Sequence, residues 1–340
     1  QRQMCIRDSI HQKFELSIPL YRQEKEWEAL GLRLSRATMS NWLLVVYRDW
    51  LVHIVHRLKL ELLKQRYLHI DETHVQVLKE PGRKNTSDSY MWVYCSIRDA
   101  VNPIRYFEYQ PGRSGKYPEA FLRKYEGYIH TDAYSGYNAV SGVKRCLCYT
   151  HLRRAFVDAL PKDIHNSEAS KPAEAILRLN QLFNIESELE ALPPDQKKKE
   201  RLIREKPLLE AFWSWAEKSA IGELPKSKLS KAFHYALNNR EGFWTYLEDG
   251  NCSISNSLAE NCIRPFVIGR KNWLFSGSPK GAEASAGIYT LVETAKANGL
   301  APMKYIKYIL SDMPGSAFLE HPEYLDDYLP WNPLVKEFCR

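Results

Sequence analysis

The chain has 340 residues, 44% of them hydrophobic, with 9 Trp, 20 Tyr and 12 Phe. It can therefore bury a core without disulfides or a structural metal, and it is too aromatic for intrinsic disorder. Its most apolar stretch, residues 42–55, is interrupted by Arg48, Asp49 and His53, which excludes a membrane span of roughly 20 apolar residues. The formal net charge of +7 suits a polyanionic partner such as nucleic acid.

Residues 1–9 share no pattern with the rest of the chain and read as a foreign leader. Residues 19–30 read as a helix, Gly31 as a turn, and residues 35–65 as a second helix, with Trp42, Leu43, Val46, Trp50, Leu51, Ile54, Leu58 and Leu62 at three- and four-residue spacing. Helix, glycine turn and polar-fronted helix is the pattern of a helix-turn-helix. An amphipathic hairpin whose helices only pack on each other fits the same residues.

After Arg66 the period changes to two, predicting strands over 67–78, 90–98 and 104–110, the first two joined as a hairpin across Pro81-Gly82. A helix over 114–125, strands over 128–132 and 143–148, and a helix over 151–160 come next. That order predicts a mixed α/β domain with an antiparallel meander on one side of its sheet. Residues 161–250 hold no strand-like run and read as a helical insertion broken at Pro193-Pro194, Pro207 and Pro225. Helices return over 256–264, 282–298 and 302–310, before a tail over 311–340 rich in Pro and aromatics.

Three carboxylates stand out. Asp71 lies inside the first strand, where a charge is costly unless paired or bound to a cation; an outward-facing Asp on an edge strand is the alternative. Asp132 ends the fourth strand, at the rim where α/β sheets place ligand sites, although Asp there also suits a helix N-cap. Glu260 closes the Ser257-to-Glu260 capping box and could equally pair with Arg264. Behind Glu260, residues 264–307 carry seven Lys or Arg against two acids. Cations beside acids suit a phosphodiester substrate, the acids holding divalent metal and the cations the backbone. Arg264, Arg270, Lys271 and Asn272 are accordingly candidate DNA contacts. His151, Arg153 and Arg154 open a helix after a strand, where phosphate contact and structural pairing are both open. Cys146, Cys148 and His151 suggest zinc but lack a fourth ligand, and buried cysteines are the other reading. Seven cysteines, an odd number, fit reduced thiols, and with no secretory signal in view a cytoplasmic, nucleoid-associated location is expected.

The strings His130-Thr131-Asp132-Ala133-Tyr134-Ser135-Gly136-Tyr137, Cys148-Tyr149-Thr150-His151-Leu152-Arg153-Arg154-Ala155-Phe156, residues 256–278 with Gly269-Arg270-Lys271-Asn272-Trp273-Leu274-Phe275, and Leu329-Pro330-Trp331-Asn332 resemble the transposases of the insertion sequence 66 family. The resemblance runs in order from about residue 14 to 332. It implies a DDE transposase with a ribonuclease H-like mixed sheet and a helical insertion, preceded by a helical N-terminal region and truncated at its own N-terminus. On this reading residues 10–65 are the helical region, 66–160 and 251–310 the catalytic domain, 161–250 the insertion and 311–340 a C-terminal tail. Asp71, Asp132 and Glu260 become the acidic triad holding two Mg²⁺ ions, with Mn²⁺ as substitute. The expected partners are transposon-end DNA, target DNA, further copies of the chain in a dimer or higher synaptic assembly, and accessory proteins of the element; no membrane is involved. The expected reaction is metal-dependent cleavage at transposon ends followed by strand transfer. A ribonuclease H-like nuclease that cuts without joining, and an inactive DNA-binding relic, are the alternatives.

Overall fold

The structure, a computed structural model, describes residues 2–161 and 170–340. Residue 1 of the expected leader and residues 162–169 of the expected insertion lie outside the described residues. The chain divides into two compact units, one of residues 1–122 and 258–340, the other of residues 123–257.

The first unit opens with α1 (Arg2–Phe14). Residues 1–9 were expected to stand apart, yet Ile6, Ile10 and Phe14, spaced four apart, are all buried, because that spacing makes one apolar stripe along a helix. After α2 (Leu20–Ala29) the chain turns at Gly31, whose φ of +81° a side chain would resist. Ser35 then caps α3 (Arg36–Val46), its hydroxyl accepting from the Thr38 amide at 3.1 Å. The helix expected to run straight through continues by a π turn, Tyr47–Leu51, into α4 (Val52–Leu62). The π turn seats the Tyr47 ring against Gly287, where a Cβ would come within 2.0 Å of it.

β1 (Tyr67–Val77), β2 (Asp88–Ser96) and β3 (Arg105–Gln110) form the predicted antiparallel meander, with Asp71 opposite Val93 and Val93 opposite Phe107. The short α5 (Lys116–Phe121) stacks Phe121 on Tyr94, ring centroids 3.6 Å apart. From residue 258 the chain returns as most of a long helix, α12 (Ser257–Trp273), followed by β6 (Phe275–Ser276), α13 (Pro279–Ala297), α14 (Pro302–Asp312) and α15 (Pro333–Cys339). Two differences from the sequence pattern matter. The helix expected to stop at residue 264 runs on through Pro265, because Ile263, Phe266 and Gly269 around and beyond the proline gain burial, with Phe266 against Trp273 and Tyr289. The two-residue β6, too short to register as a period, pairs in parallel with Gln76 and Val77. α13 is buried on nearly all sides, as its run of Ala, Gly, Ser and Thr permits. Its Thr290 and Thr294 hydroxyls accept from the Phe107 and Arg105 amides of β3 at 2.8 and 3.0 Å.

The second unit holds the parallel pair β4 (Gly127–Thr131) and β5 (Val143–Leu147). Its helices are α6 (Tyr149–Val157), α7 (Lys171–Glu188), α8 (Pro194–Glu200), α9 (Lys206–Ala220), α10 (Lys228–Asn238) and α11 (Arg240–Trp244). Phe156, Phe212, Trp213, Phe233 and Phe243 are buried among them. Pro207 does not break the chain as expected. A π turn over Arg201–Glu205, in which the Lys206 amide donates to the Arg201 carbonyl, joins α8 to α9, and Pro207 follows it directly as the second residue of α9.

Among the described residues, six strands in parallel and antiparallel pairs stand with many helices, a mixed α/β fold. No described helix is long and apolar enough to cross a membrane.

Candidate functional site

Asp71 sits mid-strand in β1, half-buried, its Oδ1 accepting from the Glu72 amide at 2.9 Å. Side chains alternate along a strand, so Asp71 shares a face with His69 and Thr73. Cys95 lies directly opposite His69 on that face, and its thiol neighbours that of Cys262 of α12. Eight residues further along α12, Arg270 donates to the Thr73 hydroxyl at 3.0 Å and to the His74 carbonyl. These two ties lay α12 over the face that carries Asp71. Glu260, half-buried in the first turn of α12, precedes Cys262 by two residues. The helix that carries Glu260 thus packs on the sheet face that carries Asp71.

The basic candidates divide. Arg264 and Lys271 are exposed. Arg270 is committed to β1, and burial lowers its pKa. Asn272 donates to the Ser17 carbonyl at 3.0 Å, tying α12 to the loop after α1. Gly269 has a packing reason: a Cβ there would approach the Tyr289 hydroxyl to 2.6 Å.

Asp132 belongs to the second unit. It follows β4 directly, and its Oδ1 accepts from the Tyr134 amide at 3.0 Å, so its side chain closes a turn rather than capping an α-helix. The sequence pattern does not single out Arg145, which holds this turn. From β5 its guanidinium donates to the Asp132 and Tyr134 carbonyls at 2.6 and 2.8 Å, to the Thr131 hydroxyl at 2.8 Å and to Asn138 at 2.7 Å. A cation in a short strand beside an acidic motif was its only signal. On α6, Arg153 donates to Asn180 at 2.7 Å, which favours the structural alternative for that residue, while Arg154 is exposed and His151 half-buried.

Of the two readings of Cys146, Cys148 and His151, the burial of both cysteines fits the one in which they are core residues. Among the described residues, Cys146 gathers with His130 and Cys252, their ligand atoms within 4.8 Å of one another and all three residues buried. Cys148 starts α6, and its sulfur accepts from the Asn256 amide at 3.1 Å. The Ser253 amide already donates to His130 Nε2 at 2.8 Å, so that ring nitrogen is engaged without a metal. Hydrogen bonding from Cys146 first, opposed by burial and aided by His130, holds the Cys252 thiol down at about 6.

As a donor set, hard carboxylate oxygens such as those of Asp71 and Glu260 are what Mg²⁺ takes. Residues 6–284 match the family described as Transposase IS66 family. The chain belongs to the IS66 transposase family. It is also similar to three uncharacterized proteins of Sinorhizobium fredii: 27% identical to y4hP, 28% to y4qI and 26% to y4jD, in each case over 94% of this chain. The chain spans 60% of the length of y4hP and of y4qI, and 64% of that of y4jD.

Proposed function

We propose that this IS66-family chain is the catalytic part of a DNA transposase with a ribonuclease H-like domain, cutting at the ends of a mobile element and joining the freed ends to target DNA. The observation that carries the reading is family membership together with a mid-strand carboxylate, Asp71, on a sheet face over which the helix bearing Glu260 is laid. Asp132 is the third acid of the proposal, and Arg145 positions the turn that bears it. Asp71, Asp132 and Glu260 would hold two Mg²⁺ ions. Bound there, such ions supply charge neutralisation at phosphorus and an acidified water.

In the hydrolytic step a water oxygen bonds to phosphorus as the bond to the 3′ oxygen breaks, leaving a 3′-hydroxyl and a 5′-phosphate. In the joining step that 3′ oxygen bonds to a target phosphorus, and the target's own 3′ oxygen leaves with the proton. No covalent protein intermediate is involved. Exposed Arg264 and Lys271 serve as phosphate contacts. A dimer or larger synaptic assembly and accessory proteins of the element belong to the same proposal, as does action at the nucleoid.

The test is Mg²⁺-dependent nicking of element-end DNA by the full-length protein. Asp71→Asn is expected to reduce nicking by at least about 10³-fold, on the order of the loss for a central catalytic group, while DNA binding persists. Undiminished nicking by Asp71→Asn overturns the proposed site. Cutting without any joined product leaves the nuclease reading in its place.

A further inference from the structure

The first unit contains a cleft of about 910 Å³ that the acids do not use. Its walls come from the end of α1, the start of α2, the first turns of α3, the turn after β1 and residues 272–277. Three cations line it, Lys13, Arg36 and Lys79, and no acid does. Among the described residues, none of the three side chains makes an ion pair, and burial, with no carboxylate opposing it, lowers the Lys13 pKa to about 8. The Lys13 ammonium lies over the Phe14 ring, 5.2 Å from its centroid, and no carboxylate lines the cleft beside it, so an anion brought there would be favoured electrostatically.

The rim is apolar and exposed in a way a folded chain does not need. Leu274 and Phe275 are 64% and 45% exposed, although they directly follow a half-buried Trp273. Leu274 holds a φ of +67° and Lys79 a φ of +58°, left-handed conformations unfavourable to residues with a Cβ. The strain is fixed in place: Ser276 and Phe275 are paired to β1, the Leu78 amide donates to the Ser276 carbonyl at 2.9 Å, and the Lys79 amide to Asn85 at 3.0 Å. Cations along the walls and a solvent-facing Phe275 ring held by its strand pairing at the rim are what a nucleic-acid strand with unstacked bases requires.

We infer that this cleft binds a single-stranded stretch of DNA, its phosphates on Lys13, Arg36 and Lys79 and a base stacked on Phe275. A paired duplex hides its base faces and would use only the cations. The inference rests on reading the chain as a DNA-acting protein, but it concerns binding and not cutting.

The test measures binding of a fluorescent 12-nucleotide oligothymidine and of a duplex of equal length to the purified chain, in EDTA so that cleavage plays no part. Phe275→Ala is expected to weaken single-strand binding about tenfold, in keeping with the loss of one stacked base, with little effect on the duplex. Phe275→Trp should restore binding, with its fluorescence quenched by the oligonucleotide. Arg36→Ala with Lys79→Ala should weaken single-strand binding and flatten its salt dependence by about 0.7 in log–log slope for each phosphate no longer neutralised. All substituted positions are exposed, and unchanged thermal melting serves as the folding control. Wild-type affinity in the Phe275→Ala and Arg36→Ala/Lys79→Ala variants, or no single-strand binding by the wild type, overturns the inference. Failure to nick element ends with these binding effects intact overturns the catalytic proposal alone.

Discussion

Arg270 and Lys271 are sequence neighbours with opposite duties. Arg270 reaches back to Thr73 and His74 of β1, whereas Lys271 points into solvent. Arg270→Ala should therefore destabilise the fold by about 1–3 kcal/mol, the usual range for hydrogen bonds from a charged donor, and Arg270→Lys should recover little because a lysine lacks the planar fork. Lys271→Ala should leave the melting temperature unchanged while weakening DNA binding across all sequences. Thermal melting alongside a binding titration checks both, and a stable Arg270→Ala protein would contradict the first. The sequence offered these two residues as equals, since adjacency in a basic motif says nothing of which side chain faces inward. It was more informative for Asp71 and Glu260, whose placement came from a strand period and a helix start, both local signals. Arg145 escaped notice because its partners, the Asp132 and Tyr134 carbonyls, are backbone groups and leave no mark in residue type.

Elements in the second unit meet around a buried ion network. Arg201, fully buried in the π turn, donates to both Glu186 oxygens at 2.5 and 2.8 Å and to the Tyr246, Asp249 and Cys252 carbonyls. Burial would raise Glu186, but Arg201 and then Lys197 hold it below its ordinary value. Glu205 has no such cation to itself, and burial first, then repulsion from Glu186, pushes it up to about 8 from an ordinary 4.5. The folded chain then binds a proton at Glu205 that the unfolded chain releases, so stability is greatest below about 4.5 for this group and falls as pH rises through about 8. Glu205→Gln should melt like the wild type at about pH 4.5 and above it at about pH 8.5. Equal melting temperatures at both pH values would count against a protonated Glu205. The π turn itself was not legible, because Pro207 reads locally as a stop and only the burial of Arg201 and Glu205 shows why the helix continues. The meander was legible, as alternation in β1 and β2 reports a sheet face directly.

Two compact units, each with its own core, make up the whole molecule. Gly250 in the second approaches the Pro194 carbonyl so closely that a Cβ would fall 1.8 Å from its oxygen, and a backbone atom cannot step aside. Gly250→Ala should raise amide exchange throughout residues 123–257 more than in β1 to β3, as hydrogen exchange followed by peptide can read. Gly287→Ala, which meets the Tyr47 ring in the first unit, should show the reverse preference. Uniform loosening in both variants would contradict the division. At this scale the sequence suggested a catalytic domain with an insertion over 161–250. The compact units themselves divide at Arg123 and Leu258, because packing between distant segments, which no local pattern records, decides where a core closes.

The two threonines that α13 sets against β3 have a consequence for assembly. Thr290 and Thr294 occupy the very amides through which a foreign strand would add itself to the meander. With those two amides taken, a second copy of this chain finds few free donors for zipping onto β3, so crowding during synthesis is steered away from ribbon-like aggregation along that border.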